Sequence, residues 1–164
     1  MITLDVSRIN ERSPYYVWLE GENYLFQTDS QNVYSVSFEA YEAVSDTMAY
    51  WLVLTNRSHK ASPRDSKVRD TIICVIEEFF NENPDILLYL CDNAKGQQAM
   101  RNRLFLRWFN TYELRLKYHI INELILDEGE ENYITLVLPL AHPHYEEIIL
   151  YFNNLISAFK ANKP

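Results

Sequence analysis

One stretch of the chain decides the predicted fold: residues 66–91, SKVRDTIICVIEEFFNENPDILLYLC. In its first part, apolar residues recur every three or four positions, which is typical of a helix with one face on a core. Asn83 and Pro84 end this helix, because a proline disfavours helical backbone in the residue before it. The apolar run Ile86–Cys91 then has the length and composition of a buried strand.

The sequence before this stretch predicts four strands. Tyr15–Glu20 and Tyr24–Thr28 flank a short turn, and Val33–Phe38 alternates apolar with polar residues. This pattern is typical of an antiparallel meander with one solvated face. Tyr50–Leu54 is a continuous apolar run that suits a central strand. Because a helix separates it from Ile86–Cys91, we expect a parallel pair joined by a right-handed crossover.

The sequence after residue 91 predicts a helix, two strands and a final helix. Their expected ranges are 97–110, 114–126, 133–138 and 145–159. The second range alternates until Ile120 and Ile121, where two adjacent isoleucines suggest a bulge. The order β-β-β-β-α-β-α-β-β-α predicts an α+β fold, a mixed sheet with an N-terminal antiparallel meander and helices packed on it. No linker or repeat is visible, so we expect a single domain over residues 1–164.

Glycine and cysteine content excludes several kinds of site. The chain has only three glycines, well separated, so neither a phosphate-binding loop nor a dinucleotide fingerprint is present. Cys74 and Cys91 lie in apolar segments and have no metal-ligand spacing, so we interpret them as buried thiols in a reducing compartment. His119, His142 and His144 lack the further ligands that a metal site requires. We therefore expect neither a metal nor a cofactor.

Charge and hydropathy bear on location and partners. Residues 1–14 lack the apolar core of a secretion signal, and no apolar run is long enough to span a membrane. We therefore expect a cytoplasmic protein with no membrane contact. The net charge of −8 argues against a protein whose main function is to bind nucleic-acid phosphates. The oligomeric state is left open by the sequence.

The basic residues are concentrated in two windows. Residues 57–69 contain five basic residues and one acidic residue, and residues 95–107 contain four basic residues and no acidic residue. Each window follows a predicted strand and runs into a helix, where the helix N-terminus favours anions. One hypothesis is a small anionic ligand or an acidic segment of a protein partner at this edge; the alternative is a solvated basic face that pairs with the acidic remainder. The candidate binding residues are Arg57, Lys60, Arg64, Ser66, Lys95 and Arg101.

The chain resembles an uncharacterised bacterial family of unknown function. The resemblance rests on Leu90-Cys91-Asp92, on Arg101-Asn102-Arg103-Leu104-Phe105 and on Trp108-Phe109. Phe26-Gln27-Thr28 and Tyr34-Ser35-Val36-Ser37-Phe38 fit the N-terminal half of that family. The resemblance covers most of the chain and implies no particular activity.

The order of elements from residue 15 to residue 139 is also similar to that of the GCN5-related N-acetyltransferases. In that family a helix N-terminus holds the pyrophosphate of acetyl-CoA, next to a glycine-containing loop. The corresponding loop here lies between Thr55 and Val68 and contains no glycine. Of the family's later helical pattern, only Phe109 matches. The resemblance implies an acetyltransferase-like fold and a CoA ligand at the basic edge.

No signature of a catalytic nucleophile is present. The Gly-x-Ser-x-Gly motif is absent, and neither cysteine has a recognised local pattern. We therefore predict a small cytoplasmic, non-catalytic binding or interaction protein. The alternative is an acyltransferase-like protein, active or degenerate, that holds CoA or another anionic ligand at the basic edge.

Overall fold

The computed structural model describes residues 2–58, 64–83, 85–91, 98–110, 112–127 and 129–161, and within them the side chains of all but residues 91, 98–101, 112, 127 and 161. The described chain forms five helices and seven strands, which confirms the predicted α+β fold. In chain order the elements are α1 (Val6–Arg12), β1 (Val17–Glu20), β2 (Asn23–Gln27), β3 (Val33–Val44), β4 (Thr47–Asn56), α2 (Ser66–Glu82), β5 (Ile86–Cys91), α3 (Gln98–Phe109), α4 (Tyr112–Lys117), β6 (Tyr118–Asp127), β7 (Glu130–Pro139) and α5 (Tyr145–Ala161).

The strands form one mixed sheet in the order β1-β2-β3-β4-β5-β7-β6. The predicted meander is present, because β1 pairs antiparallel with β2 and β2 pairs antiparallel with β3. At the other end, β7 lies between β5 and β6 and is antiparallel to both. The β6–β7 register runs without interruption from Tyr118–Pro139 to Asp127–Glu130. The bulge predicted at Ile120 and Ile121 was therefore wrong.

The chain divides into two compact units, Met1–Ala40 with Leu52–Pro84 and Tyr41–Trp51 with Asp85–Pro164. The single-domain organisation stays a prediction. In the first unit, the buried face of α2 packs on the meander, and the ring of Phe79 stacks on that of Phe38 with centroids 4.6 Å apart. Cys74, on the same helix, is a buried free thiol, as expected.

In the second unit, the three strands β5, β7 and β6 have an apolar layer on each face. One layer joins Ile86, Leu136 and their neighbours to Ile148 and Phe152 of α5. The other layer lies under α3, where the rings of Tyr89 and Phe105 are 4.3 Å apart. Because apolar residues are needed on both faces, adjacent isoleucines in β6 fit a regular strand without a bulge.

Two short helices were not predicted. The polar segment before Tyr15 forms α1, which begins where the side chain of Asp5 accepts a hydrogen bond from the Arg8 N–H and which buries Ile9. The predicted strand 114–126 was wrong at its start, because residues 114–117 belong to the helix α4. Leu114 is 8% exposed and Leu116 is 60% exposed, so the two leucines do not share a buried strand face. Strong helix formers, with an acid in the first turn and bases in the last, explain α4 instead.

Candidate functional site

Two consecutive helices of the second unit present arginines to one cavity. Arg103 and Arg107 are one turn apart on α3 and therefore lie on the same face of that helix. Arg115 comes from α4, and all three arginines are solvent-exposed. The chain turns between the two helices because α3 ends at Phe109, where the Asn110 N–H donates to the Arg107 carbonyl at 3.2 Å. This turn brings Arg115 to the same cavity as the arginines of α3.

The floor of this cavity is apolar and belongs to the core. Phe109 is 2% exposed, and its ring packs between those of Phe105 and Tyr118, with centroids 5.1 and 6.3 Å away. Leu140, after β7, is held near the end of α4 because its N–H donates to the Lys117 carbonyl at 2.9 Å. The ring of Phe109 therefore belongs to the core, whereas Leu140 and the three arginines are exposed to solvent.

We call this cavity, of about 610 Å³, the arginine cleft. Among the described residues that line it, none is acidic, so the formal charge around it is +3 with histidine neutral. A concave site lined by charges of one sign concentrates counter-ions more strongly than a flat surface does. Its lining residues are Arg103, Leu106, Arg107, Phe109, Asn110, Arg115, Tyr118, His119, Ile120 and Leu140.

A hydrogen bond fixes the one histidine of the arginine cleft. Nδ1 of His119 is hydrogen-bonded to the hydroxyl of Tyr145, the first residue of α5. The two rings also stack, with centroids 5.7 Å apart and planes 18° apart. His119 is thereby oriented by a neighbouring element, which is how proteins hold an imidazole for binding or proton transfer.

A buried amide pair anchors α3 behind the arginines. Asn122 on β6 donates to Asn102 Oδ1 at 2.6 Å and to Thr135 Oγ1 at 2.7 Å, and Asn102 donates back to Asn122 Oδ1 at 3.2 Å. Asn102 and Thr135 are buried. Satisfied buried polar groups of this kind specify one arrangement, so the network sets the position of α3 on the sheet.

The residues predicted to form a binding site are only partly described. Arg57 lies in the turn after β4, where its N–H donates to the Val33 carbonyl at 2.7 Å. Arg64 precedes α2 and Ser66 is its first residue; all three side chains are exposed. Lys60 and Lys95 lie outside the described residues, and of Arg101 only the helical backbone in α3 is described. The predicted anion site at this edge stays a prediction.

The N-terminus of α2 is occupied by the protein's own carboxylate. Asp65 is the N-cap, and its Oδ1 accepts from the Lys67 N–H at 2.9 Å. Its Oδ2 accepts from the hydroxyl of Tyr15 at 2.5 Å, and the Tyr15 oxygen accepts from the Asp29 N–H at 3.2 Å. Burial, followed by the hydrogen bond to Asp65, raises the pKa of Tyr15 to about 12. We call this group of residues the α2 cap cluster.

Sequence reasoning did not select any of the four basic cleft residues as binding residues. Arg103 and Arg107 were recognised as part of the second basic window but were not selected as binding residues. Arg115 was missed because residues 114–126 were interpreted as one strand, and His119 was considered only as a metal ligand. The signal that would have found Arg115 is the helix-forming composition of residues 112–117.

The described residues bear on two remaining expectations. They contain no group of three His, Cys, Asp or Glu side chains placed to hold a metal ion. Among the described helices, none combines the length and apolar character needed to cross a membrane.

Comparison with models of protein families assigns the chain to a family. Residues 64–154, more than half of the chain, match a family described as a family of unknown function, DUF6169. The match includes every lining residue of the arginine cleft. It confirms the resemblance to an uncharacterised family, whereas the resemblance to N-acetyltransferases stays a prediction. No curated protein matches the chain.

Proposed function

We propose that this chain, which belongs to the DUF6169 family of unknown function, is a cytoplasmic, non-catalytic binding protein that holds an anionic ligand in the arginine cleft. One observation carries the proposal: three arginines surround an apolar floor, and the described lining contains no acidic side chain. The cytoplasmic part of the proposal rests on Cys74, a buried free thiol.

The charge of the ligand follows from the residue type. A guanidinium donates two parallel hydrogen bonds to a carboxylate or a phosphate, and it stays charged at every physiological pH. In a chain of net charge −8, arginines have many acidic side chains with which to pair. A lining with three arginines and no described acid therefore supports an external anion as the missing partner.

The apolar lining residues of the arginine cleft indicate the chemical nature of the uncharged part of the ligand. Leu106, Ile120 and Leu140, which are half-buried or exposed, offer an apolar surface beside the charges, over the buried rings of Phe109 and Tyr118. Small-molecule sites have volumes of roughly 300–1,000 Å³ and combine an apolar lining with a few polar groups. The arginine cleft, at about 610 Å³, has this size and composition. We therefore propose a carboxylate or phosphate attached to an aromatic or aliphatic body.

The alternative remains an acyltransferase-like protein with CoA or another anion at the predicted basic edge. That proposal depends on Arg57, Lys60 and Arg64 in the first window, together with Lys95 and Arg101 in the second. The two proposals use different residues, so paired substitutions separate them.

The proposal is tested by thermal unfolding with a panel of small anions. Benzoate and phenyl phosphate combine charge with a ring, inorganic phosphate and sulfate supply charge alone, and benzyl alcohol supplies the ring alone. CoA, acetyl-CoA and common nucleotides test larger ligands. The variants are Arg103→Gln/Arg107→Gln for the cleft and Arg57→Gln/Arg64→Gln as a control of equal charge change. A ligand at 100 times its dissociation constant adds about 2.7 kcal/mol to the free energy of unfolding.

We expect the ring-bearing anions to raise Tm more than phosphate or benzyl alcohol, and the cleft variant alone to lose this shift. A shift for CoA compounds that only the Arg57/Arg64 variant loses would favour the acyltransferase-like alternative. An unchanged Tm across the whole panel would contradict binding of a small anion.

A further inference from the structure

The sheet ends on one side in a long strand. β6 is the last strand of the sheet order, and among the described residues its pairing partner is β7 alone. β6 contains ten residues, whereas β1, at the opposite end of the order, contains four. An edge strand presents a row of N–H and C=O groups that can pair with another strand, and short edges limit this tendency. The long edge of β6 therefore offers far more room for pairing than β1 does.

The composition of β6 protects this edge only weakly. Natural edge strands discourage pairing with charged side chains, lysine above all, and with proline. Residues 118–127, YHIINELILD, contain no lysine or proline, and between the two ends of the strand the one residue with a fixed charge is Glu123. Leu124 and Leu126, two positions apart and therefore on the same face, are 39% and 43% exposed. Exposed leucines on a weakly protected edge are typical of a surface that is covered by a partner.

The two ends of β6 carry opposite charge. Arg115 and Lys117 immediately precede the strand. Glu130 and Glu131 follow its far end, at the start of β7, and are exposed. When two copies of such a strand align antiparallel, the basic end of each lies against the acidic end of the other. The edge is therefore complementary to itself, which is the requirement for a two-fold symmetric contact.

We propose that the chain forms a homodimer in which β6 of one copy pairs antiparallel with β6 of a second copy. Residues opposite each other in antiparallel strands lie on the same face of the sheet. The pairing register between the two copies is therefore limited to those that keep the core face of each copy on the same side. One register places Asn122 opposite the partner's Asn122, Leu124 opposite the partner's Ile120 and Leu126 opposite the partner's Tyr118. It covers both exposed leucines with apolar residues. Shifting the centre to residue 123 would instead oppose two Glu123 side chains.

The dimer is tested by sedimentation equilibrium of the full chain. We expect wild type to have twice the chain mass of 19.5 kDa. Leu124→Lys places a charge at the centre of the contact, and each substitution occurs twice in a two-fold contact. We expect it to raise the dimer dissociation constant by roughly 100-fold. Leu150→Lys, an exposed leucine on α5, is the matched control and should leave the dimer intact. A circular dichroism spectrum verifies that each variant is folded.

A wild-type mass of 19.5 kDa at about 100 μM would overturn the proposal, as would a dimer that Leu124→Lys leaves unchanged. The register has its own test in disulfide formation under mild oxidation. We expect the double variant Ile120→Cys/Leu124→Cys to form a covalent dimer, and either single variant to form much less. Equal cross-linking of a single variant would contradict this register. Because Arg115, Tyr118 and Ile120 also line the arginine cleft, both experiments are run without added anion, so that a failure of the dimer leaves the proposed anion binding to its own test.

Discussion

The α2 cap cluster and the arginine cleft both lie in basic parts of the sequence, but their surroundings differ. In the first region, Lys67 is 3.3 Å from Asp29 and Arg69 is 2.9 Å from Asp70, and Asp65 caps the helix. In the second region, the described residues that line the cleft include no acid. Two basic parts of one sequence can therefore differ in whether the described structure places acidic side chains beside them.

The largest effect is expected from the floor of the arginine cleft. Phe109→Ala removes a ring that is 2% exposed and packs against Phe105 and Tyr118. We expect the free energy of unfolding to fall by about 3–5 kcal/mol in urea denaturation, because the substitution leaves a cavity in the core. Leu140→Ala, at an exposed lining position, is the control and should cost less than about 1 kcal/mol. If Phe109→Ala were equally mild, the floor would not be part of the core.

An intermediate effect is expected in the α2 cap cluster. Tyr15→Phe removes the hydroxyl that donates to Asp65 and accepts from the Asp29 N–H. We expect a loss of about 0.5–1.5 kcal/mol at pH 7, the net value of a hydrogen bond whose partners, Asp65 and Asp29, are partly accessible to water. Tyr16→Phe, whose side chain is 71% exposed, is the matched control and should change stability by less than about 0.5 kcal/mol.

The same substitution changes the dependence of stability on pH. The pKa of Tyr15 is raised to about 12, mainly by burial, so the folded protein keeps a proton that the unfolded chain releases near pH 10. The contribution of Tyr15 is therefore complete below pH 10 and is lost as the pH rises toward 12. We expect urea denaturation of Tyr15→Phe to show a shallower decline over this range than wild type. Parallel declines would show that this hydroxyl titrates as an ordinary phenol.

The smallest effects on stability are expected for two basic residues, one from each region. Lys67→Gln breaks an exposed ion pair with Asp29, so we expect a loss of no more than about 0.5 kcal/mol. Arg107→Gln removes a like charge one turn from Arg103, so we expect no loss and a gain of a few tenths of a kcal/mol at low salt. Denaturation at low and high salt measures both, and high salt should abolish the difference. A larger loss for Arg107→Gln would show that the protein itself pairs this arginine.

The sequence predicted elements where periodicity and end signals agree. The apolar stripe of α2, with Asn83 and Pro84 as its end signal, predicted nearly the observed helix. The strand β5 was predicted with the observed bounds. In contrast, residues 114–117 of α4 were predicted as part of a strand, because the two leucines fit strand alternation and this pattern was weighed above the helix-forming composition of the segment.

The candidate site was less predictable than the fold. The two basic windows follow directly from the sequence, and the second contains Arg103 and Arg107. The surroundings of each basic window depend on contacts between residues that are far apart in the sequence. Examples are the hydrogen bonds of Tyr15 with Asp65 and of His119 with Tyr145. Such contacts leave no local pattern, so the sequence pointed to the helix N-termini rather than to the arginine cleft.

The central claim, that the cleft binds an anion, is tested most directly by nuclear magnetic resonance of the arginine side chains. The Nε–Hε resonances of the protein labelled with ¹⁵N are followed during titration with phenyl phosphate. We predict saturable shifts for Arg103, Arg107 and Arg115, and smaller, non-saturating changes for Arg57 and Arg64. Saturable shifts confined to Arg57 and Arg64, or no saturable shift at any arginine, would contradict the account.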